Sequence, residues 1–86
     1  MFKDLYVEPR NVLVEMTFIP LGSNGQASEQ IAEVLNLVDN SGLFYEYAHN
    51  ITCIEGQWSE ISSLIYACYE YIREHFPEGF LRISIC

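Results

Sequence analysis

The stretch that decides the fold is Thr52-Cys53-Ile54-Glu55-Gly56-Gln57-Trp58-Ser59-Glu60, where a strand is expected to run straight into a helix. Thr52, Cys53 and Ile54 suit a pleated, half-buried surface. Gly56 supplies the conformational freedom for a sharp turn. Trp58 follows at once, and its indole is expected to seal the seam between the new helix and the sheet. Glu55 stands near the strand's end, where ligands of sheet proteins often meet the chain.

Working back from that junction, Asn50 starts the strand Ile51–Glu55, and a second strand, Leu43–His49, lies just before it. So short a link favours an antiparallel hairpin. In the earlier strand Leu43, Tyr45, Tyr47 and His49 share one face, and Phe44, Glu46 and Ala48 share the other. Upstream again, Ile31, Val34, Leu35 and Val38 recur at helical spacing. Ser28 is the expected N-cap of that helix and Gly42 its left-handed end. Leu21–Ala27, with Gly22, Ser23, Asn24 and Gly25, is a loop.

Asn11–Pro20 alternates cleanly, with Val12, Val14, Met16 and Phe18 on one face and Leu13, Glu15, Thr17 and Ile19 on the other. Pro20 ends the ladder. Residues 1–10 have no period and read as an N-terminal extension before a single domain over 11–86. Downstream of the junction, Ile61, Leu64, Ile65, Cys68 and Ile72 form the buried stripe of a helix over Gln57–His75. Pro77 and Gly79 stop it, and Phe80–Cys86 is the last strand, with Leu81, Ile83 and Ile85 on one face.

The order β-α-β-β-α-β predicts an α+β, ferredoxin-like fold: a four-stranded antiparallel sheet with two helices on one face. The other face is left uncovered. Leu13, Ile19, Tyr45 and Tyr47 are its expected apolar members, the face assignment resting on a register that a one-residue slip reverses. A chain of 86 residues buries only about 60–65% of its unfolded surface, yet half of its residues are hydrophobic and 14% are aromatic. That surplus, with the open face, predicts a homo-oligomer, dimer or tetramer, joined through sheet faces.

The net charge of −8, from twelve acidic and four basic residues, opposes nucleic-acid binding, which needs a cationic footprint. No apolar run approaches a membrane span, and the first residues lack a signal-peptide pattern. Cys53, Cys68 and Cys86 contain no CxxC pair, so a cytoplasmic protein with reduced thiols is expected. His49 and His75 lack zinc-site spacing. Neither a metal nor a cofactor is expected. Cys68 lies on a buried stripe, where it is an inert small hydrophobe. No nucleophile–base pair or paired carboxylates stand out, so no catalytic residue is expected.

With these elements placed, the chain resembles the small thiamine-binding proteins of the MTH1187 and YkoF type. The resemblance is carried by Ile19-Pro20-Leu21-Gly22, Ser28, Ser41-Gly42-Leu43, Tyr45-Glu46, Thr52, Ile54-Glu55-Gly56, Trp58 and Glu60, in the family's order over about residues 12–85. It implies a ferredoxin-like fold, self-association through sheets, and binding of thiamine or its hydroxymethylpyrimidine part without chemistry. The chain departs from the family's pattern at His49-Asn50-Ile51, where Pro-Met-Gly is common. It departs again at Tyr69, where histidine is common.

A thiamine site needs groups for the pyrimidine edge, aromatic faces, and negative or π-rich surroundings for the thiazolium cation. Glu15, Ser28, Tyr45, Tyr47, Asn50, Thr52 and Glu55 supply those types and are the candidate ligand-binding residues. Five of them have a plainer role: Ser28 as a cap, Tyr45 and Tyr47 as interface residues, Glu55 as a cap or a partner of an arginine such as Arg82, and Thr52 as a strand former. The alternative to a thiamine binder is a structural or regulatory oligomer of the same fold that has lost the ligand.

Overall fold

Alternate apolar side chains along Asn11–Ile19 give a strand, β1, that buries one edge of each pleat. The structure, a computed structural model, describes residues 11–86; the expected extension over 1–10 lies outside the described residues. β1 leads to helix α1 (Ala27–Asn40), strands β2 (Phe44–Ala48) and β3 (Ile51–Gln57), helix α2 (Trp58–His75) and strand β4 (Phe80–Ile85). The sheet order is β2-β3-β1-β4, with every neighbouring pair antiparallel. This is the ferredoxin-like α+β arrangement.

The core lies between the sheet and the helices. Val14, Met16 and Phe18 of β1 and Ile54 of β3 meet Val34 and Val38 of α1 and Ile61, Leu64, Cys68 and Ile72 of α2. Each buried aliphatic side chain contributes about 1.5–3 kcal/mol. Cys68 is fully buried, and burial pushes its thiol up to about 11. The three cysteines are free thiols.

β3 passes into α2 without a loop, as the sequence suggests, but two roles at that junction differ from expectation. Gly56 has ordinary extended pairing with Val12, so it is not a left-handed turn residue. What it supplies is room: a Cβ there lies 3.1 Å from Leu43 Cδ2, tighter than an ordinary contact. Trp58, expected to seal the seam, is exposed. The small side of Gly56 lets Leu43 close that seam instead.

At α1 the expected cap is also displaced. The helix starts at Ala27 with Gln26 in the cap position and no side-chain cap bond. Asn24 and Gly25 take positive φ, and Gln26 N–H bonds to the Ser23 carbonyl. This turn delivers the chain into the helix before Ser28 is reached. The Ser28 hydroxyl lies 3.4 Å from the Glu29 carboxylate instead.

Candidate functional site

The hairpin β2–β3 fixes the geometry of the candidate residues. His49 and Asn50 have φ of 55° and 65°, the pattern of a two-residue type I′ turn, whose twist matches that of the strands. Such a turn locks the register: Ala48 faces Ile51, Tyr47 faces Thr52, and Tyr45 faces Ile54. Ile54 in turn faces Val14, and Thr52 faces Met16. Residues opposite one another project to the same side. Tyr45 and Tyr47 therefore lie on the helix-covered face, which corrects their expected place on the open face with Leu13 and Ile19. The residues of β2 that reach the open face are Phe44, Glu46 and Ala48.

The candidate set is thus split by the sheet. On the covered side, Tyr47, Asn50 and Thr52 come together with Met16, Phe18, Ile31, Val34 and Leu35 around one small cavity. The Tyr47 hydroxyl donates to Asn50 Oδ1 at 3.0 Å, across the turn. Thr52 is the one polar residue buried in the core among the described residues, while the one buried side-chain polar atom without a hydrogen-bond partner among them is Gln30 Oε1, which is not part of the cavity's lining. The enclosed space is about 10 Å³, close to what a single water occupies. Its lid is the Tyr47–Asn50 bond, between two exposed side chains.

Tyr45 is one step along the same face but outside this cavity. Its hydroxyl donates to Asp39 at 2.9 Å, and the accepted bond with the neighbouring carboxylate raises its pKa. Ser28 lies one turn before Ile31 on α1 and is exposed. It shares the helix stripe that borders the cavity without lining it.

Glu15 and Glu55 are on the opposite side of the sheet. Glu15 stands between Val14 and Met16, so it faces away from both, in a row with Ser84, Cys53 and Glu46. Glu55 shares a row with Leu13 and Phe44. Arg82, its expected alternative partner, faces Thr17, too far along the sheet. The Arg73–Glu70 pair is the only salt bridge among the described residues. Sequence reasoning missed Met16, Phe18, Ile31 and Leu35 as cavity walls, because their residue types read as core and nothing more. The signal that would have joined them to Thr52 is the two-residue turn, which sets which side chains share a face. No group of metal-binding side chains occurs among the described residues, and none of their helices is long and apolar enough to cross a membrane.

The architecture matches solved structures across most of its length. A Thermotoga maritima protein described provisionally as acting in thiamine biosynthesis or salvage superposes with a TM-score of 0.81 at 22% identity, covering 88% of this chain and 82% of that one. A Streptococcus pneumoniae protein, SP2199, gives 0.82 at 14% identity over 90% and 86%. At such identities the likeness is one of fold. A UPF0045 protein of Synechocystis is 29% identical over 66 residues, 77% of this chain. The chain spans about half the length, 54%, of that curated relative. The family model described as "Thiamine-binding protein" matches residues 14–85, nearly all of the described fold, and the chain belongs to that family.

Proposed function

We propose that this protein binds thiamine or its hydroxymethylpyrimidine part without transforming it, and does so as a homo-oligomer. The observation that carries the reading is Thr52, the one buried polar residue of the apolar core, whose side chain lines the cavity together with Tyr47 and Asn50. A ligand that enters the cavity finds in the Thr52 hydroxyl a group that can both donate and accept. The amide of Asn50 and the hydroxyl of Tyr47 supply further polar groups at the mouth. Met16 and Phe18 give a polarisable and an aromatic wall for a flat ring.

Entry requires the Tyr47–Asn50 bond to open, because the closed cavity is too small for a pyrimidine. Both side chains are exposed and can turn outward, and the half-buried Ile31 and Leu35 must shift as well before the ring has room. The chain's charge of −8 suits the thiazolium. Glu15 and Glu55 act, in this reading, at the open face rather than on the ligand. There Leu13, Ile19, Phe44 and Phe80 are exposed, and a second copy placed against them buries an apolar surface that this chain's helices leave bare.

Calorimetric titration of the protein with thiamine, and separately with hydroxymethylpyrimidine, tests the reading. Saturable heat that is lost in Thr52→Val is the expected result. The closed cavity and the His49-Asn50 turn favour one other reading, an oligomer of this fold that has lost its ligand. Absence of heat with both ligands, and no rise in thermal midpoint with either, selects it.

A further inference from the structure

We propose a second ligand site, for a small organic cation with an apolar or aromatic body, in the groove between the C-terminus of α1, the start of β2 and the first turns of α2. It is separate from the Thr52 cavity and does not rest on the thiamine reading. The groove measures about 350 Å³, within the range of small-molecule sites, about 300–1,000 Å³. Leu37, Leu43, Leu64 and Ala67 form its apolar walls, with Glu60 and Asn40 at its rim. Neither the Glu60 carboxylate nor the Asn40 carboxamide hydrogen-bonds to a described residue. By contrast, the nearby hydroxyls of Ser41 and Ser63 already donate to the carbonyls of Val38 and Ser59. Two unengaged polar groups above an apolar floor make an amphipathic seat.

The charge around it selects a cation. α1 ends at this groove with no basic residue in its last turn, so its negative dipole end is capped by the Ser41 and Gly42 amides but faces no cationic side chain. Asp39 adds a carboxylate to that same turn, against the usual preference for cations there. Glu60 lies in the first turn of α2 and offsets that helix's positive end, which leaves the α1 end and Asp39 unbalanced. Of the described arginines, Arg73 is in the last turn of α2, at the far end of that helix, and Arg82 faces Thr17 on the other side of the sheet. The local backbone is cut to fit as well. At Gly56 a Cβ lies 3.1 Å from Leu43 Cδ2, so the glycine lets this groove residue close onto the end of β3. A protonated amine at the rim gains charge-assisted hydrogen bonds, while its body covers the leucines.

The test is NMR titration of the full chain with benzylamine and with its neutral counterpart benzyl alcohol, read at the methyl groups of Leu37, Leu43 and Leu64. Benzylamine is expected to shift them saturably, with benzyl alcohol about five-fold weaker or more. Glu60→Gln is expected to erase most of that difference. Ala67→Trp, which fills the groove from an exposed position, is expected to abolish the shifts. Unsaturable shifts, equal affinity for the alcohol, or full benzylamine binding in both variants overturns the proposal. Absence of thiamine binding in calorimetry with these shifts intact sinks the earlier reading alone.

Discussion

The two faces of the sheet are built from the same four strands by opposite rules. Toward the helices, Val14, Met16, Phe18 and Ile54 are buried, and the lone polar side chain among them, Thr52, borders a cavity. Away from the helices, exposed Leu13, Ile19, Phe44 and Phe80 surround Glu15, Glu46, Glu55 and Arg82. The first composition specifies a packed core, because each apolar contact is closed within the chain. The second is too apolar for a face turned permanently to water and too charged for a core, which is the composition of a surface between subunits. The proposed function accordingly puts ligand binding and assembly on opposite sides of one sheet.

The largest expected effect would break this division outright. Phe44→Lys or Ile19→Lys on the open face is expected to reduce the molecular mass in light scattering to that of one chain, while Glu33→Lys on α1 leaves the assembly in place. If wild-type protein already gives a single-chain mass at micromolar concentration, the open face is not an interface.

Next in size is the contrast between two isoleucines of one strand. Ile54→Ala, at a fully buried position, is expected to lower unfolding free energy by about 2–5 kcal/mol. Ile51→Ala on the open face is expected to lower it by less than about 1 kcal/mol in the isolated chain. Urea midpoints of the two variants, measured in a dissociated background, decide this. Equal losses would mean that the two faces are packed alike.

A third test uses pH on the covered side alone. Cys68 titrates at about 11 in the fold against 9.0 ordinarily. A raised acid pKa gives stability that is complete below the unfolded value and is lost as pH rises through the folded one. Stability should therefore fall by about 2–3 kcal/mol between pH 9 and 11, and the fall should shrink in Cys68→Ala. A curve identical in both proteins would remove the thiol from the account.

The smallest effect sharpens the hairpin that sets the faces. His49 holds a left-handed φ of 55°, which glycine adopts without strain. His49→Gly is expected to be neutral or stabilising by up to about 1 kcal/mol, with unchanged strand pairing by amide exchange. Marked destabilisation would show that the imidazole has a role beyond the turn.

Most of the fold is legible in the sequence because period-two alternation in Asn11–Ile19 and the helical stripes Ile31-Val34-Val38 and Ile61-Leu64-Cys68-Ile72 are unambiguous. β2 is harder. Its two faces, Tyr45 with Tyr47 and Phe44 with Ala48, are both apolar or aromatic, so alternation alone does not say which is covered. That depends on pairing with Thr52 and Ile54, a relation between segments rather than a property of either. Treated as a register lock, the short His49-Asn50 link carries the answer. Ser28 illustrates the same limit at the start of α1. Its capping chemistry is right, but the positive φ of Asn24 and Gly25 puts the cap at Gln26 and starts the helix two residues earlier. The candidate site was legible by residue type alone, since acidic, aromatic and hydroxyl side chains were assembled without regard to the sheet between them.

The most direct test of the central claim is an amide-resolved NMR titration of the protein with thiamine. The expected result is saturable shifts at Tyr47, Asn50 and Thr52, with Glu15 and Glu55 on the opposite face little changed. Dominant shifts at Glu15, Glu46 and Glu55, with Thr52 silent, would contradict it and move the ligand to the open face.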